Sequence, residues 1–113
     1  MHEFSITSSI IDILKNVIKD KDVKKVLKVN FLLNPYGGID PESVKFYYEF
    51  LTKDIKVLKD AKLIFKKEKI KTQCRTCGTI FESLKIVPQC KKCGSLDLYI
   101  SFPEDIKIKS IDV

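Results

Sequence analysis

The residues best equipped for chemistry fall in two places. Four cysteines stand as Cys74-Arg75-Thr76-Cys77 and Cys90-Lys91-Lys92-Cys93, and the single histidine, His2, lies beside the α-amine of Met1. Two cysteines three positions apart can aim both sulfurs at one ion from a tight turn, and two such turns complete the tetrahedral thiolate shell that Zn(II) favours. Gly78 and Gly94 follow the second cysteine of each pair, where a residue free to take positive φ lets backbone N–H groups turn towards the sulfurs. Two disulfides are the other use of four cysteines. The start Met-His-Glu-Phe-Ser has no basic n-region or small-residue cleavage site, so a cytoplasmic location is expected, and disulfides are rare there. A redox Cys-x2-Cys site needs one pair, and here a matched second pair exists. Four thiolates leave no open coordination position, so such an ion is structural and not catalytic.

Met1-His2-Glu3 offers a different chemistry. The α-amine of Met1, the backbone nitrogen of His2 and an imidazole nitrogen of His2 can close two small chelate rings around one ion, which suits the square-planar, nitrogen-rich preference of Ni(II) or Cu(II). Extending the chain before Met1 would convert the α-amine to an amide and destroy that arrangement. The plain alternative is a solvated histidine near a terminus.

The elements that must position these residues are readable from apolar spacing. Ile6, Ile10, Ile13, Leu14, Val17 and Ile18 recur at three and four, which predicts an amphipathic helix. Leu27, Val29, Phe31 and Leu33 alternate as in a strand with one buried face, ended by Asn34-Pro35-Tyr36-Gly37-Gly38. Asp40 before Pro41 is a helix start, with Asp as N-cap and Pro where its missing N–H costs nothing. Val44, Tyr47, Tyr48 and Leu51 then fall at helical spacing, and their aromatics read as core packing. Ala61, Leu63 and Phe65 alternate in a second strand, and Ile106 and Ile108 in a last one, with all four cysteines between them. The expected fold is α+β: a small mixed three-stranded sheet with two helices and an inserted zinc-ribbon module. The expected division is residues 1–71 with 99–113 as one domain and residues 72–98 as a zinc-binding domain that metal holds together.

Charge and composition narrow the classes of function. The 113 residues carry a net charge of +6, which would suit a nucleic-acid or acidic partner. Almost all of that charge is lysine dispersed among acidic residues, and Arg75 is the only arginine, whereas readers of phosphate and guanine rely on arginine. A zinc-ribbon nucleic-acid or transcription module is therefore the alternative reading, and no nucleic-acid partner is expected. No apolar run approaches the roughly 18 to 20 residues that span a bilayer. With one histidine and a closed metal shell there is no nucleophile and base pair, so no enzyme is expected.

Taken in order, Met1-His2-Glu3 with Ser5, a helix, a strand, the helix start at Pro41-Glu42, and Cys-x2-Cys-Gly twice before a final strand resemble the hydrogenase nickel-incorporation metallochaperones, the HypA/HybF family. The resemblance covers the whole chain. It implies a cytoplasmic, non-enzymatic protein that binds Ni(II) at its N-terminus and zinc at four cysteines, and that works with a partner GTPase to deliver nickel to the large subunit of [NiFe]-hydrogenase. Carried over by position, His2 is the essential nickel ligand, with Met1 and Glu3 contributing main-chain nitrogens. Cys74, Cys77, Cys90 and Cys93 carry the zinc. Three features depart from the family pattern: Asn34-Pro35-Tyr36-Gly37-Gly38 replaces the usual turn after the first strand, Lys91 stands where many members have proline, and there is no second histidine. The fourth nickel ligand is thus Glu3 backbone, water or a partner's group. Exposed strand edges permit either a monomer or a domain-swapped homodimer.

Overall fold

A computed structural model describes residues 3–113; Met1 and His2 lie outside the described residues. The element order is helix α1 (Glu3–Ile18), strand β1 (Lys28–Leu33), helix α2 (Pro41–Thr52), then strands β2 (Lys62–Lys67), β3 (Ile70–Cys74), β4 (Ile80–Ser83), β5 (Leu98–Ser101) and β6 (Ile106–Asp112). There are two sheets, ordered β2-β1-β6 and β4-β3-β5. The architecture is two helices with a mixed three-stranded sheet, plus a separate cysteine-bearing three-stranded sheet, as expected from the sequence. Two compact units result. One gathers the described residues up to Leu32 with Ile39–Lys66 and Lys107–Val113, and the other gathers Leu33–Gly38 with Lys67–Ile106.

In the first unit, α2 starts as the sequence predicts. Asp40 adopts extended backbone, its Oδ1 accepts the Glu42 N–H at 3.2 Å, and its Oδ2 accepts the Ser43 hydroxyl at 3.0 Å, which satisfies donors that a helix start leaves orphaned. Strand β1 alternates buried Val29 and Phe31 with half-buried Asn30 and Leu32. Phe31 stacks on Phe65 of β2 at 4.9 Å between centroids, with Leu14, Val26, Val44, Tyr48 and Leu58 fully buried beside them in the unit's core. Each such side chain contributes roughly 1.5–3 kcal/mol on leaving water.

The buried stripe of α1 differs from the expected one. It is Glu3, Thr7, Ile10, Ile11 and Leu14, whereas Ile13 and Val17 are about half exposed. Thr7 can face inwards because its hydroxyl donates to the Glu3 carbonyl one turn back, at 2.5 Å, so no polar group is left unpaired.

The second unit contains strands that apolar spacing did not reveal. Central β3 pairs antiparallel with β4, setting Gln73 opposite Ile80 and Thr72 opposite Phe81, and with β5, setting Cys74 opposite Leu98 and Thr72 opposite Ile100. Cys74 therefore ends β3 opposite Leu98 of β5, one residue beyond the last β4 pairing.

Candidate metal centre

Each cysteine pair sits in the same local turn. In the first, the Cys74 N–H donates to the Thr79 carbonyl and the Gly78 N–H to the Cys74 carbonyl; in the second, the Cys90 N–H donates to Ser95 and the Gly94 N–H to Cys90, all at 2.9 Å. Gly78 and Gly94 both take φ +79°, a left-handed conformation that costs a side chain roughly 1–2 kcal/mol. That reversal folds backbone donors onto sulfur. The Cys77 N–H points at Cys74 Sγ, and the Lys92 and Cys93 N–H groups point at Cys90 Sγ, each at 3.4 Å.

The two turns bring all four sulfurs together. Cys74 and Cys93 Sγ are 3.6 Å apart, Cys77 and Cys90 Sγ 3.7 Å, and all four lie within 4.8 Å of one another. None forms a disulfide, whose bond is about 2.05 Å. Sulfurs held at about 2.3 Å from a Zn(II) ion stand about 3.8 Å apart in a regular tetrahedron. The cluster therefore fits a four-coordinate zinc ion with a closed shell.

The sulfurs are unequal. Cys77 is brought down to about 6 by the Thr79 hydroxyl, 3.1 Å from its Sγ, and by the Thr79 N–H. Cys74 is lowered chiefly by the Cys77 N–H. Cys93 is pushed up to about 12: the Ser95 N–H favours its thiolate, but burial and the thiols of Cys74, Cys90 and Cys77 outweigh that donor. Four adjacent thiolates repel one another, and a divalent cation at their centre reverses that penalty.

Sequence reasoning missed the hydroxyls around the cluster. Thr79 and Ser95 occupy matched places, each directly after the glycine of its turn, yet they act differently. Thr79 supports the Cys77 sulfur, whereas the Ser95 hydroxyl pairs with the Thr76 hydroxyl of the other turn at 2.8 Å and accepts the Asp97 N–H. The signal was the repeated Cys-Gly-Thr and Cys-Gly-Ser. Arg75 adds a second tie within this unit, with its N–H on the Asp97 carbonyl at 2.9 Å and its guanidinium 5.6 Å from the centre of the Tyr99 ring.

Of the N-terminal candidates, Met1 and His2 lie outside the described residues, and Glu3 is described. Glu3 begins α1 and is only 7% exposed, with its Oε2 accepting the N–H of Asp40, the α2 N-cap, at 3.3 Å. Sequence reasoning used Glu3 for a main-chain nitrogen; its side chain has a separate structural task.

The family described as hydrogenase/urease nickel incorporation, metallochaperone, hypA, matches the chain over residues 1–113. The chain belongs to the HypA family. Among relatives, it is 39% identical over 80 residues to the hydrogenase maturation factor HypA of Caldanaerobacter subterraneus subsp. tengcongensis, covering 71% of this chain and 69% of that one. It is 30% identical over 113 residues to the HypA of Aquifex aeolicus, covering 100% and 97%. The solution structure of the nickel metallochaperone HypA from Helicobacter pylori superposes with a TM-score of 0.69 at 25% identity, covering 99% of this chain and 97% of that one. This HypA family member is thus a non-enzymatic nickel metallochaperone of hydrogenase maturation, with a four-cysteine cluster suited to a structural metal. Among the described residues no helix is long and apolar enough to cross a membrane.

Proposed function

We propose that this chain carries Ni(II) as cargo at its amino terminus and keeps Zn(II) permanently at Cys74, Cys77, Cys90 and Cys93. The nickel ligands in this reading are the α-amine of Met1, the backbone and imidazole nitrogens of His2 and the main-chain nitrogen of Glu3. The observation that carries it is the family match reaching residue 1, in a chain whose first three residues are Met-His-Glu. The anchored Glu3 side chain supports it, because a helix start tied to the Asp40 N–H gives the preceding ligands a fixed root.

Delivery follows from the ligand set. A site with one side-chain ligand at a chain end can surrender its ion by stepwise ligand exchange, whereas four clustered thiolates hold theirs. Protons compete for the α-amine and the imidazole, so nickel is released as pH falls. The receiving side in this reading is a GTPase of hydrogenase maturation and, through it, the large subunit of [NiFe]-hydrogenase, in the cytoplasm.

Isothermal titration of protein with its native terminus, together with metal analysis, tests the assignment. His2→Ala is expected to weaken nickel binding by about 10-fold or more while zinc content stays constant. Unchanged nickel affinity in that variant would overturn it.

A further inference from the structure

Helix α2 turns two phenylalanines outwards. Phe46 and Phe50, one turn apart, are 66% and 58% exposed, while Val44, Tyr48 and Thr52 bury the other side of the helix. The Phe46 ring meets half-buried Tyr47 edge-on at 5.4 Å, and Tyr47 meets Phe4 of α1 edge-on at 5.3 Å, with Phe4 itself 48% exposed. A phenylalanine brings roughly 150–250 Å² of surface, so these three leave about 300 Å² of aromatic surface in water. That is the size at which an exposed patch on a soluble protein is often functional.

Charge decides what covers it. At about 100° per residue, Glu42, Phe46, Phe50 and the C-cap Lys53 fall within about 80° around the helix axis, and the αR backbone of Lys53 continues the last turn. Along that strip the order is acid, ring, ring, base. A second copy of α2, turned antiparallel about a two-fold axis midway between the rings, sets its Phe50 beside Phe46 and its Lys53 level with Glu42 to within about 1.5 Å along the axis. The two-fold makes each contact twice. A parallel pair would set Glu42 against Glu42 and Lys53 against Lys53. Both ends of the strip are accessible: the Glu42 side chain is 81% exposed and holds Lys45 at 3.5 Å through Oε1, leaving Oε2 for another cation, and exposed Lys53 lies with its ammonium 5.4 Å from the centre of the Phe50 ring. The nearest like charges across the pair are the two Glu49 carboxylates, and each has Lys45 of the other copy at the same remove along the axis.

We propose that this chain self-associates through α2 as an isologous antiparallel dimer, with Phe46 and Phe50 at the centre and a Glu42 to Lys53 ion pair at each end. The strip is its own complement, which a foreign partner would have to match by a separate pattern. Its aromatic area is small beside the roughly 800 Å² per partner of a standard interface, so the dimer is weak and reversible. The surface uses none of the proposed nickel or zinc ligands and does not rest on the nickel assignment.

Sedimentation equilibrium of the zinc-loaded full chain, from about 10 μM to about 1 mM, tests the proposal. A reversible monomer to dimer equilibrium is expected. Phe46→Ser with Phe50→Ser should weaken it about 10-fold or more, with zinc content and thermal unfolding kept as controls, whereas Ile13→Ser with Val17→Ser, on the half-exposed side of α1, should cost less than about 3-fold. Glu42→Lys and Lys53→Glu should each weaken self-association about 5-fold or more, and an equimolar mixture of the two variants should recover it, because the mixed pair restores opposite charges at both ends. The proposal is overturned if the chain stays monomeric at about 1 mM, if the mixture shows no recovery, or if the α1 pair matches the loss. A dimer insensitive to the Phe46 and Phe50 substitutions, as a domain-swapped one would be, overturns it too, and so does a monomeric chain whose α2 face binds a synthetic amphipathic helix. His2→Ala should dimerise like the parent, so this surface and the nickel site can fail independently.

Discussion

The two compact units solve the same stability problem with different materials. The first buries a contiguous apolar set, Leu14, Val26, Val29, Phe31, Val44, Tyr48 and Leu58, essentially completely. In the second, only Ile70, Thr72 and Cys74 are fully buried, and Thr72 brings a hydroxyl with no hydrogen-bond partner. A unit so poor in apolar burial needs another source of free energy, and structural zinc sites supply on the order of 10 kcal/mol or more. Under the proposed function, a unit held together by a resident ion is ill suited to trade that ion, which gives a physical reason for placing the cargo nickel elsewhere on the chain.

The sharpest break in this comparison is Cys90→Ser. It leaves three thiolates and should collapse the amide dispersion of Leu33–Gly38 and Lys67–Ile106 while α1, α2 and the core around Phe31 persist; concerted loss of both units would refute the contrast. Leu14→Ala should have the opposite footprint. It should lower the stability of the first unit by about 2–5 kcal/mol, measured by denaturant unfolding, with zinc content unchanged.

The units should also fail at opposite ends of the pH scale. Acid protonates the thiolates and releases zinc from the second unit. In the first, burial pushes the Tyr48 hydroxyl up to about 12 from 10.0, and the group donates to the Leu58 carbonyl at 2.7 Å. Its neutral form is favoured in the fold. Its contribution is therefore fully present below pH 10 and lost between about 10 and 12, as the unfolded tyrosine ionises first. Tyr48→Phe should flatten that alkaline loss of stability, whatever it does to stability at neutral pH.

The smallest effect compares the two cysteine turns. Thr79→Val removes the hydroxyl beside Cys77 and should speed zinc transfer to a chromophoric chelator about 10-fold, with Thr79→Ser restoring the parent rate. Ser95→Ala should do less, because its hydroxyl is engaged by Thr76 and Asp97. Equal acceleration by both would show that the turns are energetically alike.

How much of this was legible depended on how local the determinants are. Asp40 and Pro41 start α2 through contacts within four residues, so the start was readable. The cysteine turns were readable for the same reason, since spacing and the following glycine carry the geometry. β3, β4 and β5 were not, because the buried positions of β3 include Thr72 and Cys74 beside Ile70, and Thr72 lies opposite Phe81 and Ile100 in strand pairings that its own segment does not encode. The orientation of α1 also escaped. Six apolar candidates competed, and the choice of Thr7 and Ile11 over Ile13 and Val17 belongs to tertiary packing. The Glu3 carboxylate meets an N–H 37 positions away, a relation that no periodicity encodes.

The matched turns at Cys74–Thr79 and Cys90–Ser95 have one more consequence. They close with the same backbone hydrogen bonds and the same glycine φ, so they behave as two copies of one part sharing a single load. Every lesion in one copy then carries its own reference in the other, within the same molecule and at the same metal occupancy. Differences between the copies can be traced to the few side chains that distinguish them, which turns the centre into a built-in paired measurement of what a hydroxyl does for a thiolate.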